Sequence, residues 1–208
     1  MRAAFLVPLL LLQAACWSPR YFTPREHVNG SGPKGHPAAG YAVPAAEPGL
    51  AAVGEVRLWS EGARARYDDN EDEVVQVHIG FELENTGDQP LQLELASLQC
   101  EEMVVDGLLQ APFAAVRIDG DGYAPPGATA RLDAFFQPTA DAPRHIEGFS
   151  IRFAVLAGER RALAQVTPFG PRQQAVSPSP YYWGAFGPYY GLGWSYGYGY
   201  GFGHTRWP

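Results

Sequence analysis

The run Asp68-Asp69-Asn70-Glu71-Asp72-Glu73 sets five carboxylates in one short stretch, the hard oxygen donors that Ca2+ takes several at a time. The plainer reading is a loop between two strands that its charges keep in water. The histidines, His27, His36, His78, His145 and His204, are scattered, with no pair four residues apart. Zinc sites draw on clustered ligands, so no metal site is assigned. Copper carriers use His/Met clusters, and beyond Met1 the chain has only Met103. Cys100 sits in Leu98-Gln99-Cys100-Glu101, where alternation puts Leu98 and Cys100 on one strand face. That pattern reads as a small buried apolar residue. A nucleophilic role would need a basic partner, such as His78 or His145, and a lowered pKa. No catalytic residue and no cofactor is assigned.

Asp119-Gly120-Asp121-Gly122 resembles the opening of an EF-hand loop. That loop needs a bidentate glutamate at its twelfth position, where this chain has Ala130, so a Gly/Asp turn is the better reading. The C-terminal stretch is rich in rings instead. Residues 181–208 hold 12 of the 27 aromatic residues and almost no charge. In Tyr196-Gly197-Tyr198-Gly199-Tyr200-Gly201-Phe202-Gly203 the rings alternate with glycine. Held extended, Tyr196, Tyr198, Tyr200 and Phe202 would share one face. Rings of this kind give an adhesive surface for sugars, membrane headgroups or one another. Left alone, so much glycine favours a disordered tail.

At the other end, Met1-Arg2 precedes the apolar run Ala3–Leu12, which stops at Gln13-Ala14-Ala15-Cys16. A run of about 10 residues fits the core of a signal peptide and falls well short of a spanning helix. Leu12-Gln13-Ala14-Ala15-Cys16 resembles the lipobox of bacterial lipoproteins, with Gln13 where leucine is usual. The resemblance implies cleavage before Cys16 and acylation of that residue. Two or more acyl chains anchor stably where one does not. By the same resemblance, Trp17 in place of aspartate implies the outer membrane, with the protein facing the periplasm or the cell surface. Simple secretion and a retained N-terminal helix stay open as alternatives. So does a Cys16–Cys100 disulfide, which would preclude the anchor.

These ends frame a domain that must be built from strands. Residues 1–15 read as the signal peptide and 16–52 as a disordered, lipid-anchored linker, because Ser31–Gly40 is dense in Gly, Pro and Ala. Residues 53–169 read as an all-β domain, and 170–208 as a low-complexity tail. Val75, Val77, Ile79, Phe81 and Leu83 alternate with mostly polar residues, the period of a half-buried strand. Asn85-Thr86-Gly87-Asp88 and the alternating Leu91–Leu95 follow, which predicts a hairpin. Further strands are expected at Glu55–Trp59, Met103–Val105, Ala114–Ile118, Thr129–Phe136, Phe149–Leu156 and Ala162–Thr167. The last two make a second hairpin around Ala157–Arg160.

About seven or eight short strands between Gly/Pro/Asp turns predict an antiparallel β-sandwich of immunoglobulin-like type. Phe81-Glu82-Leu83-Glu84-Asn85-Thr86-Gly87, Pro126-Gly127 and Phe135-Phe136 resemble the turn phrases of extracytoplasmic bacterial immunoglobulin-like domains. That resemblance implies a fold and no activity. The formal charge is −7 and lysine occurs only at Lys34, so neither a nucleic-acid partner nor a polybasic lipid contact is expected. The expectation is a cell-envelope lipoprotein working as a non-catalytic binding or structural and assembly module. Its membrane contact is the lipid, and its other partners are peptidoglycan, polysaccharide or an envelope protein. The alternative is an anchored or secreted enzyme acting on envelope polymers.

Overall fold

The computed structural model describes residues 19–68 and 70–172. Cys16 and the ring residues Tyr196, Tyr198, Tyr200 and Phe202 lie outside them. In chain order the strands are β1 Phe22–Pro24, β2 Val28–Ser31, β3 Pro37–Val43, β4 Gly54–Tyr67 and β5 Glu73–Asn85. There follow β6 Leu91–Leu93, β7 Gln99–Val105, β8 Leu108–Gln110, β9 Phe113–Ala114 and β10 Arg117–Asp119. The last four are β11 Tyr123–Ala124, β12 Thr129–Phe136, β13 Ile146–Ala157 and β14 Arg160–Pro171. They form two antiparallel sheets packed as a β-sandwich, with no α-helix among the described residues. One sheet runs β10-β12-β5-β4-β3-β2. The other runs β1-β14-β13-β6-β11, with β7 also on β13 and with β8 and β9 on β7. No helix among the described residues is long and apolar enough to cross a membrane.

Strand periodicity builds the core. On β5, Val75, Val77, Ile79, Phe81 and Leu83 are buried, as their alternation predicts, while Gln76, His78 and Glu82 between them stay partly exposed. On β13, Phe149, Ile151, Phe153 and Val155 face them from the opposite sheet, also at period two. Phe81 and Phe153 meet edge to face at 5.7 Å between ring centres. Each such side chain contributes roughly 1.5–3 kcal/mol by leaving water. Leu98 and Cys100 are both buried, and Cys100 is a free thiol.

Residues 19–52, expected as part of a linker, belong to the domain instead. Phe22 on β1 is 2% exposed and packs edge to face on Phe149 at 5.0 Å. Strand β3 pairs with β4 over six residues, from Ala38 against Trp59 to Val43 against Gly54, and buries Ala39, Tyr41 and Val43. The Tyr41 hydroxyl lies 2.9 Å from Thr167 Oγ1 on β14, a contact between the two sheets. Two of the glycines that suggest a tether, Gly32 and Gly40, sit where a larger residue would not fit without displacing a neighbouring side chain. The Trp59 ring lies flat between Gly32 and Gly80, where an added Cβ would stand 2.5 Å and 2.4 Å from it.

The hairpin expected between Val75–Glu84 and Leu91–Leu95 does not form. Strand β5 lies in one sheet and β6 in the other, so Thr86–Pro90 carries the chain across the sandwich. Asn85, 2% exposed, fixes the crossing. Its Nδ2 donates to the carbonyls of Gln89 and Ala124, each at 2.8 Å, and its Oδ1 accepts from Gly87 N at 3.0 Å. The long hairpin is β4–β5, closed by the acidic run, and the second predicted hairpin is β13–β14. The strand expected at Ala114–Ile118 divides into β9 and β10, which lie in different sheets.

Candidate functional site

A one-residue irregularity in β4 decides what its far half presents. Up to Ser60 the even-numbered residues face the core, with Val56 and Leu58 fully buried. The register with β5 then shifts: Ser60 opposes Ile79 and Gly62 opposes His78, which leaves Glu61 as the extra residue of a β-bulge. Gly62 takes φ 100°, a left-handed conformation suited to glycine. Ser60 Oγ accepts from Gly62 N at 3.0 Å and pins the bulge. Beyond it the phase is inverted, because a slip of one residue turns every side chain to the other face. Ala63 goes to the core, and Arg64 and Arg66 come out onto the face that carries Gln76 and His78.

The result is a cleft of about 270 Å3 on the outer face of the six-stranded sheet. Arg64 and Arg66 of β4, Gln76 and His78 of β5, Phe135 of β12 and Arg117 of β10 line it, with the bulge residue Glu61. Three of these groups form a stack. The Arg117 guanidinium carbon is 3.7 Å from the centre of the Phe135 ring, which stacks on His78 at 4.5 Å and 20°. His78 Nε2 is 2.8 Å from Asp133 Oδ1, and Arg117 Nε is 3.3 Å from Asp119 Oδ2. Asp133 thus fixes His78 through a hydrogen bond, and Asp119 gives Arg117 an exposed ion-pair partner. Arg64 and Arg66 form no hydrogen bond or ion pair among the described residues.

Four arginines elsewhere in the domain are neutralised in place, while Arg20 and Arg160 donate to backbone carbonyls instead. Arg57 reaches Glu55 at 2.9 Å, Glu84 at 3.2 Å and Glu82 at 3.3 Å, and the bond to Glu55 raises its pKa. Arg131 pairs with Glu82, Arg152 with Glu101 and Arg161 with Glu94. A wider depression beside Arg152 and Arg161, about 630 Å3, is therefore lined by arginines that already have counter-ions. The cleft at the bulge differs from that depression in holding two arginines, Arg64 and Arg66, that have no counter-ion among the described residues.

Of the groups weighed from sequence, Cys100 faces the core from β7, in the other sheet, and burial pushes its thiol up to about 12. His78 does meet a carboxylate, as an enzyme would require, and so does His145. His145 Nδ1 is 3.3 Å from Asp106 Oδ2, close enough for an ion pair but misaligned for a hydrogen bond. The acidic run is a tight turn in which Asp68 Oδ1 accepts from Asn70 N at 2.8 Å and Asp72 N at 3.0 Å. Asp121 Oδ1 likewise accepts from Tyr123 N at 3.1 Å. Two serine patterns also occur in the chain. Ser31-Gly32-Pro33-Lys34 has the Ser-x-x-Lys spacing, but it forms an edge turn whose exposed lysine lies 3.5 Å from Glu61. Gly193-Trp194-Ser195-Tyr196-Gly197 lies outside the described residues.

Comparison with protein-family models, with curated proteins and with solved structures finds no match. Function therefore has to be argued from the cleft. Sequence reasoning missed it because Arg64, Arg66 and Arg117 look solitary along an acidic chain, and only the sheet gathers them. The signal available was Ser60-Glu61-Gly62, a glycine that interrupts a strand just where its alternation changes phase.

Proposed function

We propose that this chain is a non-catalytic binding module of the bacterial cell envelope, held at the outer membrane by acyl chains on Cys16. The observation that carries the binding role is the cleft, where Arg64 and Arg66 have no counter-ion among the described residues and lie beside an Arg117–Phe135–His78 stack. Open guanidiniums gathered in a concavity favour an anionic partner. The anchor is supported by the apolar leader and its small residues before Cys16. The immunoglobulin-like resemblance adds a fold that often displays binding surfaces, and the rings of the tail would add a second contact with envelope polymers.

The enzyme alternative has one observation in its favour, the His78–Asp133 pair, which is the base and its orienting carboxylate in many hydrolases. Cys100 does not complete it. It sits in the opposite sheet with its thiol held protonated, and a thiol reacts as the thiolate.

The experiment has two readouts. Mass spectrometry of the mature N-terminus should find an acylated Cys16. An unmodified Cys16, or a chain beginning at Trp17, overturns the anchor. The full chain carrying Cys16→Ala cannot be acylated and should still co-sediment with purified envelope fragments. A variant that stays in the supernatant overturns the binding role.

A further inference from the structure

We infer that the cleft is a phosphate site, which takes a phosphate monoester carried on a sugar-sized polar group. This rests on the binding-module reading and names its ligand class. A carboxylate offers two oxygens in one plane, and a single guanidinium fork can satisfy both. Here three arginines line one cleft from two strands on opposite sides of β5: Arg64 and Arg66 on β4, and Arg117 on β10 beyond β12. Donors that approach from several directions match the tetrahedral oxygens of a phosphate.

The positions are prepared in advance. The Arg117 guanidinium carbon stands 3.7 Å from the Phe135 ring centre and its Nε forms an exposed ion pair with Asp119, so its terminal N–H groups remain available to a ligand. Arg64 and Arg66 reach this face only because the bulge inverts the phase of β4. Bulges commonly serve to re-aim side chains at a site. The bulge also brings Glu61 to the rim, where its charge is matched by Lys34 at 3.5 Å. Glu61 and the Gln76 amide supply acceptors for hydroxyl groups, which a sugar has and inorganic phosphate lacks. The volume, about 270 Å3, is just below the roughly 300–1,000 Å3 of typical ligand pockets, and so suits one sugar phosphate. A chain of net charge −7 also repels a long polyanion, which favours a single phosphate over a nucleic-acid strand.

The test is isothermal titration of the full chain with glucose 6-phosphate, inorganic phosphate, glucose and glucuronate. Co-sedimentation with phosphatidylcholine vesicles, with and without phosphatidic acid, is run alongside. Glucose 6-phosphate should bind, glucose should not, and glucuronate should bind about tenfold more weakly or worse. Arg64→Gln and Arg66→Gln should each weaken glucose 6-phosphate by about tenfold while leaving the thermal transition in place. Binding to phosphatidic acid vesicles that glucose 6-phosphate displaces assigns the phosphate to a lipid headgroup. Its absence assigns the phosphate to a soluble or polymeric sugar; the phosphate site stands on either result, and the sugar-sized group is refuted if phosphatidic acid binds more tightly than glucose 6-phosphate. The proposal falls if glucose 6-phosphate does not bind, if both arginine variants bind it like the parent, or if a single-stranded oligonucleotide binds more tightly than glucose 6-phosphate. Arginine variants that lose envelope retention while no phosphate probe binds would overturn the phosphate assignment alone. The binding-module reading would then stand.

Discussion

Truncating Tyr41 to alanine should destabilise the sandwich by about 3–5 kcal/mol, the range for removing a buried aromatic ring. Tyr41 is 7% exposed, its ring packs edge to face on Phe153 at 5.8 Å, and its hydroxyl meets Thr167 at 2.9 Å. Thr167 is fully buried, so loss of the phenol leaves its hydroxyl without that partner. A stranded buried hydroxyl costs about 1–3 kcal/mol, and Tyr41→Phe isolates this part of the effect. For a domain of about 150 residues, 1 kcal/mol moves Tm by roughly 2–4 °C. Differential scanning calorimetry should therefore find Tyr41→Phe lower by about 2–12 °C and Tyr41→Ala by about 6–20 °C. Adding Thr167→Val to Tyr41→Phe should recover part of the loss, because no polar group is then left unpaired. A Tyr41→Ala chain that melts within about 1 °C of the parent would refute the reasoning. It would mean that residues 37–43 are a tether after all.

Two further outcomes follow from close packing and from burial. Gly80→Ala should cost about 1–3 kcal/mol as an overpacked contact, because its Cβ would stand 2.4 Å from the Trp59 ring. Urea titration followed by tryptophan fluorescence reads this, and an unchanged midpoint would contradict it. Cys100 is raised from 9.0 to about 12 by desolvation. Between those values the unfolded chain releases the thiol proton while the native state keeps it, so stability falls as pH rises, by about 1.4 kcal/mol per unit. Cys100→Ala should remove that part of the alkaline slope. Tyr41, also raised by burial, contributes the same sign to both chains and cancels in the comparison. Equal slopes for parent and variant would count against it.

How much of this was legible in the chain depended on the range of the interaction. Strand β12 carries the bounds its sequence predicts, and β5 buries the five residues its alternation singles out. Both follow from local rules: a period of two and turn residues at the ends. The phrase Asn85-Thr86-Gly87-Asp88 ends strand β5 as its turn residues predict, but the hairpin they also predict does not form. Turn chemistry reports that a strand ends, while the destination of the next strand depends on Ala124, 39 residues away, accepting from Asn85. The Gly/Ala-rich stretch after Ser31 shows the same limit. Small residues permit a loose tether and equally permit close packing, and Trp59, far along the chain, is what selects the second.

Local pattern is enough to specify an all-β chain with one strongly alternating strand, a buried thiol at Cys100 and an acidic turn. Each of these is set by residues within a few positions of one another. Long-range packing is what brings residues 22–43 into the sandwich and parts β5 and β6 into different sheets. It also decided that Arg64, Arg66 and Arg117 share a cleft. Pairing across a sheet brings together residues more than 50 positions apart, and a bulge of one residue chooses which of them face the same way. Neither effect leaves a period in the sequence, so the charges that make the site are visible only once the strands are side by side.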